Sequence, residues 1–438
     1  MDIKIILEIL VILGALAMGA RSGGVGLGLW GAVGLLILVV GFQVPPGQIP
    51  GDVLLIVLTV IMAASAMEVA GGIDFLVRVA ERIIRKNPKH VTIVAPLVTY
   101  GFTFAAGTGH IVYPLLPVIF EVAHENGIRP ERPMAIATIA SQQAITASPV
   151  SAATAAMITI LASHGYGLVQ ILLICVPSTL LAVVIAAIVQ LRVGKELKDD
   201  PEYQRRLAAG ELQPPEKSMG GEPAPVKKGA KASAVIFFTG VGLVVLAGIS
   251  KKLRTIAGVE VPMPSAIAIV MLTVAAVIMV VTKIPAAEVP KSKTCQSGVS
   301  AIVGILGLAW LGDTFMDANS EVIIGGLKSM ATAAPWTFSI GLFVASMLLF
   351  SQAATAKTLM PLGLSLGIPA PLLIGMFPAV NGYFFIPNYG TIIAAMQFDR
   401  SGTTRIGKYL LNHSFMLPGL ICTVGAVGFG LLIGKLMF

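Results

Sequence analysis

KHVTIVAPLVTYGFTFAAGTGHIVYPLLPVIFEVAHENGIRPER, residues 89–132, decides the fold. Its first thirty apolar positions, 91–120, contain no Asp, Glu, Lys or Arg. A spanning helix needs about 20 mostly apolar residues, so this run can enter a bilayer. Yet it begins beside Lys89 and ends beside Arg129 and Arg132. Short basic loops mark the cytoplasmic side, so both ends lie on one side and the chain turns round inside the membrane. Ala105-Ala106-Gly107-Thr108-Gly109-His110 supplies the turn, two glycines and a polar triplet in an otherwise apolar run. The spacing predicts a re-entrant hairpin over 91–130.

Working outward, other stretches are equally free of charge: 22–51, 133–191, 261–282, 329–356, 358–398 and 409–434. Hydrocarbon offers no partner for backbone N–H and C=O, so these segments are read as helices. Spans are predicted near 3–19, 23–41, 53–72, 168–191, 233–250, 264–282, 299–317 and 409–436. A basic amphipathic stretch, 74–90, follows the third. The run 336–368 also leaves and returns on one side, with Ser351-Gln352-Ala353-Ala354-Thr355-Ala356-Lys357-Thr358 in its middle. Each hairpin precedes a long segment with a polar break. In 133–163 the break is Thr146-Ala147-Ser148-Pro149-Val150-Ser151. In 370–398 it is Ile386-Pro387-Asn388-Tyr389-Gly390-Thr391. The order span, span, span, hairpin, broken helix, span thus occurs twice, in 1–191 and 233–438, with opposite orientation. The segment 192–232, with nine Lys or Arg against seven Asp or Glu and with Pro214, Pro215, Pro223 and Pro225, is read as a solvated cytoplasmic linker. Loops 78–90 and 400–408 fall inside, and 43–51 and the turn at Tyr166 outside. Lys251, Lys252 and Arg254 fall outside in this scheme, against the positive-inside rule.

Composition agrees. The 438 residues are 56% hydrophobic and 12% charged, with a mean hydropathy of +0.89. A soluble chain of this length cannot bury so much apolar surface. The net charge of +8 is spread over short loops, which speaks against nucleic acid. Cys175, Cys295 and Cys422 lie in or beside apolar runs at no metal-ligand spacing. The first run starts after Asp2 without a basic region, so it is read as a retained span. Gly363-Leu364-Ser365-Leu366-Gly367 has the form of a nucleophile elbow but no strand before it. Gly26, Gly28 and Gly31 sit in an apolar span, where close helix packing explains them better than dinucleotide binding. No cofactor or metal site is expected.

Broken helices expose backbone groups at membrane depth, and their N-terminal ends carry partial positive charge that suits carboxylates. The candidate site residues are therefore Thr108, Gly109 and His110 at the first tip, and Ser148, Pro149 and Ser151 at the first break. Thr355, Lys357 and Thr358 join them from the second tip, and Asn388 and Thr391 from the second break. Lys357 is the sole Lys or Arg between Lys328 and Arg400 and is the natural anchor for an anion. The plainer reading has Lys357 snorkelling to the surface and the hydroxyls merely closing the hairpins. Asn381 carries less weight. Glu68, Asp313 and Asp317 are candidates for proton or sodium binding, and Asp313 and Asp317 are equally read as acids at a helix end in water.

Seven strings carry a resemblance to a known family. They are Gly19-Ala20-Arg21, Gly41-Phe42-Gln43-Val44, Val69-Ala70-Gly71-Gly72-Ile73-Asp74 and Ala95-Pro96-Leu97-Val98-Thr99-Tyr100, then Ala106-Gly107-Thr108-Gly109-His110, Gly127-Ile128-Arg129-Pro130 and Ile145-Thr146-Ala147-Ser148-Pro149-Val150-Ser151-Ala152-Ala153. Together they resemble, essentially end to end, the anaerobic C4-dicarboxylate transporter (Dcu) family. The resemblance implies an all-α polytopic protein of the bacterial inner membrane that exchanges fumarate, malate or aspartate for succinate. It implies the ion-transporter superfamily's inverted repeats and elevator-type scaffold and transport domains, a homodimer and, in some relatives, a sensor kinase partner. That superfamily often has Ser-Asn-Thr at its tips. Here Gly107-Thr108-Gly109 and Ala354-Thr355-Ala356 stand instead, so its sodium sites are not carried over. Competing readings are a citrate-like or ion-coupled carrier on the same fold, and a regulatory membrane protein. An intramembrane enzyme would need a nucleophile and base at membrane depth, and the sequence offers neither.

Overall fold

The computed structural model describes residues 3–22, 25–49, 51–212, 227–349, 351–387, 389–407 and 411–437. The first half comprises α1 (Ile3–Ser22), α2 (Gly26–Leu36), α3 (Gly51–Val69), α4 (Gly72–Lys86), α5 (Val91–Ala106), α6 (Leu116–Glu125), α7 (Glu131–Gln143), α8 (Ala152–Leu161) and α9 (Leu168–Gln190). A short α10 (Pro201–Ala208) follows. The second half holds α11 (Ala230–Ile249), α12 (Met263–Thr282), α13 (Lys293–Ala333), α14 (Phe338–Leu349), α15 (Gln352–Ser365), α16 (Ala370–Met376), α17 (Gly390–Phe398) and α18 (Met416–Met437). Strands β1 (Thr255–Ile256) and β2 (Val259–Glu260) make the one small hairpin among the described residues.

Among the described residues α9, α11, α12 and α18 are long and apolar enough to cross a membrane alone. Their outward faces keep large apolar residues such as Leu181, Ile188, Val280 and Leu432 exposed, as a surface against lipid requires. The basic amphipathic stretch is α4, bent 74° from α3. It buries Leu76, Ala80 and Ile84 and leaves Arg82 and Lys86 exposed. That geometry suits a helix lying at the headgroup level.

Two apolar cores are present. The smaller joins Ala15 of α1, Leu35 of α2, Leu38, Val44 and Leu311 of α13. The larger takes in α3–α12 and α14–α18. Trp310 Nε1 donates to the Gly47 carbonyl at 2.7 Å and Gly47 N–H donates to Thr314 Oγ1 at 2.9 Å, tying the uncharged 43–51 loop to α13.

Three expectations need correction. The span expected at 299–317 continues to Ala333 as a helix of 41 residues, about 60 Å long, so Asp313 and Asp317 stand within a helix rather than at its end. The break expected at 386–391 begins earlier, in a 3₁₀ segment Phe377–Phe384 that is non-helical at Asn381 (φ −98°, ψ 30°). And the first half of the expected solvated linker is docked. Arg132 Nε donates to the Val193 carbonyl at 2.8 Å and Arg132 pairs with Glu196 at 2.9 Å. Arg129 is buried between Glu131 (2.5 Å) and Asp200 (2.6 Å). Ser414 Oγ donates to Glu131 Oε1 at 2.6 Å, and the Glu131 N–H donates to Thr403 Oγ1 at 3.1 Å. Pro214, Pro215, Pro223 and Pro225 lie outside the described residues. At the other end Gly248 packs against Leu168, which brings the basic 251–254 turn to the same end as the Tyr166 turn.

The docked strap yields a pH prediction. Burial pushes the Asp200 carboxyl up, but the Tyr203 N–H and the Arg129 guanidinium outweigh burial and hold it below the usual carboxylate range. Its contribution to stability is complete above pH of about 4 and is lost as pH falls through the lowered folded value. Asp200→Asn strands the Arg129 charge in part and is expected to cost about 3 kcal/mol at pH 7. Melting of detergent-solubilised protein checks this, with the gap between wild type and variant closing only in acid.

Candidate functional site

Each interruption of the helices has a local cause. At the first, Gly107 adopts φ +74°, and a Cβ there would lie 2.9 Å from the Val150 carbonyl. Glycine meets both demands at little cost. Thr108 is extended and its hydroxyl accepts the His110 N–H at 3.3 Å. Between α7 and α8, Ser148 Oγ donates to the Phe104 carbonyl at 2.6 Å. Ser151 Oγ donates to the Ile145 carbonyl at 2.6 Å and accepts the Thr154 N–H at 3.1 Å, capping α8. Ser351 caps α15 in the same way, accepting the Ala354 N–H at 3.2 Å.

The four interruptions meet. Gly109 backs onto Gln142, whose side-chain amide a Cβ at that position would strike. Gln352 Nε2, in the first turn of α15, donates to Gln142 Oε1 at 3.2 Å and to Asn381 Oδ1 at 3.3 Å. Asn381 Nδ2 donates to Gln143 Oε1 at 3.1 Å, and Gln143 Nε2 to Thr423 Oγ1 at 3.2 Å. Gly390, at the start of α17, backs onto the Tyr113 hydroxyl of the first hairpin. The Tyr383 and Tyr389 rings lie 4.9 Å apart. All four amide side chains are buried. Gln142 Nε2 in this cluster, and Tyr383 Oη and Thr391 Oγ1 on the adjoining segments, are buried without a partner among the described residues. A buried polar group left unpaired is costly, and each of these three can donate a hydrogen bond to a carboxylate.

The residues picked from sequence fall into three groups. Gly109 and Thr391 stand at the meeting point, with Thr108 and His110 beside Gly109 and His110 exposed next to Tyr113. Ser148 and Ser151 face backbone atoms, Pro149 is buried between them, and Thr355 Oγ1 donates to the Ser351 carbonyl at 2.8 Å, so these close the chain breaks. Lys357 and Thr358 lie not in an open tip but in the second turn of α15, facing α13. Lys357 pairs with Asp313 at 3.5 Å, so it neither snorkels nor stands alone. Asn388 lies outside the described residues. Sequence reasoning missed Gln142, Gln143 and Tyr383 and underweighted Gln352 and Asn381. The available signal was amides inside charge-free runs.

The chain matches the family profile described as anaerobic C4-dicarboxylate membrane transporter over residues 4–438. It belongs to that family. Members similar to it include the C4-dicarboxylate transporter DcuA of Wolinella succinogenes, 43% identical over 99% of this chain and 100% of that one. DcuA of Escherichia coli is also 43% identical, over 99% and 100%. The anaerobic C4-dicarboxylate transporter DcuB of Escherichia coli is 38% identical over 95% of each. Among solved structures, Neisseria gonorrhoeae MtrF, described as one of a class of antimetabolite efflux pumps, has a similar fold, with a TM-score of 0.54 at 13% identity over 99% of this chain and 95% of that one. The Dcu family consists of transporters rather than enzymes, and this member is a multi-pass protein of the bacterial inner membrane.

In a Dcu protein built this way, Gly109→Ala forces Gln142 out of place. A shift of about 1 Å at a binding group can cost about a hundredfold, so transport is expected to fall at least tenfold. The check is uptake per milligram of folded protein, with size-exclusion profiles showing unchanged folding.

Proposed function

We propose that this Dcu member exchanges fumarate, malate or aspartate outside for succinate inside, by alternating access. The reading is carried by one observation: three donors without a partner among the described residues, Gln142 Nε2, Tyr383 Oη and Thr391 Oγ1, on the segments whose interruptions meet. The DcuA and DcuB relatives, named for C4-dicarboxylates, give the substrate class. A carboxylate brought here replaces water with charge-assisted hydrogen bonds, which are shorter and about twice as strong as neutral ones. The N-termini of α8, α15 and α17 add partial positive charge. Lys357 supplies the one full cation on this arm.

The two copies of span, span, span, hairpin, broken helix, span act as inverted repeats, and the movement is elevator-like. The core of α1, α2 and α13 belongs to the frame, and the hairpins with the broken helices form the moving body. The separation into two apolar cores supports this division.

Counterflow in proteoliposomes tests the reading. Labelled fumarate should accumulate in vesicles loaded with succinate and not in vesicles loaded with buffer. Equal uptake by both would rule out exchange. Thr391→Val and Gln142→Leu each delete a donor to a charged ligand, worth about 1.5 kcal/mol or more, and should raise the half-saturation concentration about tenfold. Unchanged values in both variants would move the site elsewhere.

A further inference from the structure

Lys357 is held by an acid from the other core. Its Nζ lies 3.5 Å from Asp313 Oδ2, with the two side chains 18% and 17% exposed. Lys357 stands on α15, inside the large core, while Asp313 is two residues from Leu311 of the small one. The helices touch at this level. A Cβ at Gly312 would lie 2.6 Å from Thr358 Cγ2, so only glycine lets α13 approach α15 so closely. The Thr358 hydroxyl at this contact is buried and has no partner among the described residues.

We propose that Asp313 is a positioning residue that stands in for a substrate carboxylate: in the unloaded carrier it holds Lys357 and pins α15 to α13, and substrate binding displaces it. The inference rests on the exchanger reading above and explains what enforces exchange. A lysine shielded from water needs an anion beside it. Asp313 and a dicarboxylate offer Nζ the same functional group, so they compete for it. When substrate takes Nζ, the Thr358 hydroxyl beside Gly312 is a donor that can receive the released acid. The contact between α13 and α15 then loses this ion pair. A loaded carrier can slide along this contact, and an empty one is held.

The full chain in proteoliposomes and in detergent provides the test. Wild-type vesicles loaded with labelled succinate should leak slowly into substrate-free medium and empty rapidly when fumarate is added outside. Asp313→Asn should speed the leak roughly threefold or more, and should lower by a similar factor the succinate concentration giving half-maximal thermal stabilisation in detergent. Asp313→Glu should restore both wild-type values. The double variant Asp313→Lys with Lys357→Asp keeps the pair in reverse, so it should fold, neither leak nor exchange, and show no stabilisation by succinate. Wild-type leak and half-point in Asp313→Asn would overturn the proposal, as would a raised half-point, which would make Asp313 a ligand rather than a competitor. Rapid leak from wild-type vesicles would sink the exchanger reading, while a lowered half-point in Asp313→Asn would still establish the competition.

Discussion

A peptide group with no hydrogen-bond partner in hydrocarbon costs several kcal/mol, and everything particular about this protein follows from how its chain meets that constraint where its helices stop. The helix ends are closed by short hydroxyl side chains. Ser148 reaches the Phe104 carbonyl, Ser151 spans from the Ile145 carbonyl to the Thr154 N–H, and Ser351 takes the Ala354 N–H. These bonds satisfy the backbone within the protein, so the interruptions can sit at membrane depth. The longer amides then extend beyond the closed ends and meet one another. Short polar side chains hold the architecture, and long ones form its chemistry.

That division of labour explains what sequence could and could not disclose. The break after α5 was legible because two glycines and a polar triplet interrupt an apolar run, and Gly107 marks the turn itself. The first break was legible because Ser148, Pro149 and Ser151 cluster where a helix would otherwise run on. The amide cluster was hidden. Gln142 and Asn381 are 239 positions apart in sequence, and nothing local distinguishes a glutamine that meets another arm from one at a lipid headgroup. Asp313 was hidden in the same way, since its acid could be given a partner only once α13 was known to run straight past α15. The linker misled for a related reason. Its mixed charges read as solvated, yet Arg129 and Asp200 are matched across a long stretch of sequence.

The docked strap also bears on how the two halves are joined. Residues 193–212 connect the base of the first hairpin to the loop after the second broken helix through Arg129, Arg132 and Glu131, and Arg206 donates to the Arg400 carbonyl at 3.0 Å. Breaking a buried, hydrogen-bonded ion pair by removing one partner costs about 3–5 kcal/mol. Elements fastened this way move together or not at all. The strap, the start of α7 and the loop after α17 are therefore fastened to one another.

A carrier for a dianion has to keep its cation matched in every state, because an unmatched lysine in a shielded site is as costly empty as it is useful loaded. Neutral amides and helix N-termini do not raise this difficulty, since each N-terminus carries only about half a unit of charge and its N–H groups can turn to backbone partners. Only Lys357 needs a counter-charge, and the structure places one on the neighbouring core rather than on its own arm. An acid on the same arm would travel with the lysine and would make binding weaker without affecting motion. In the proposed movement an acid on α13 stays behind when α15 moves, so the carboxylate beside Lys357 would decide whether α15 is tied to α13. The position of the acid, more than its presence, is what links occupancy to movement.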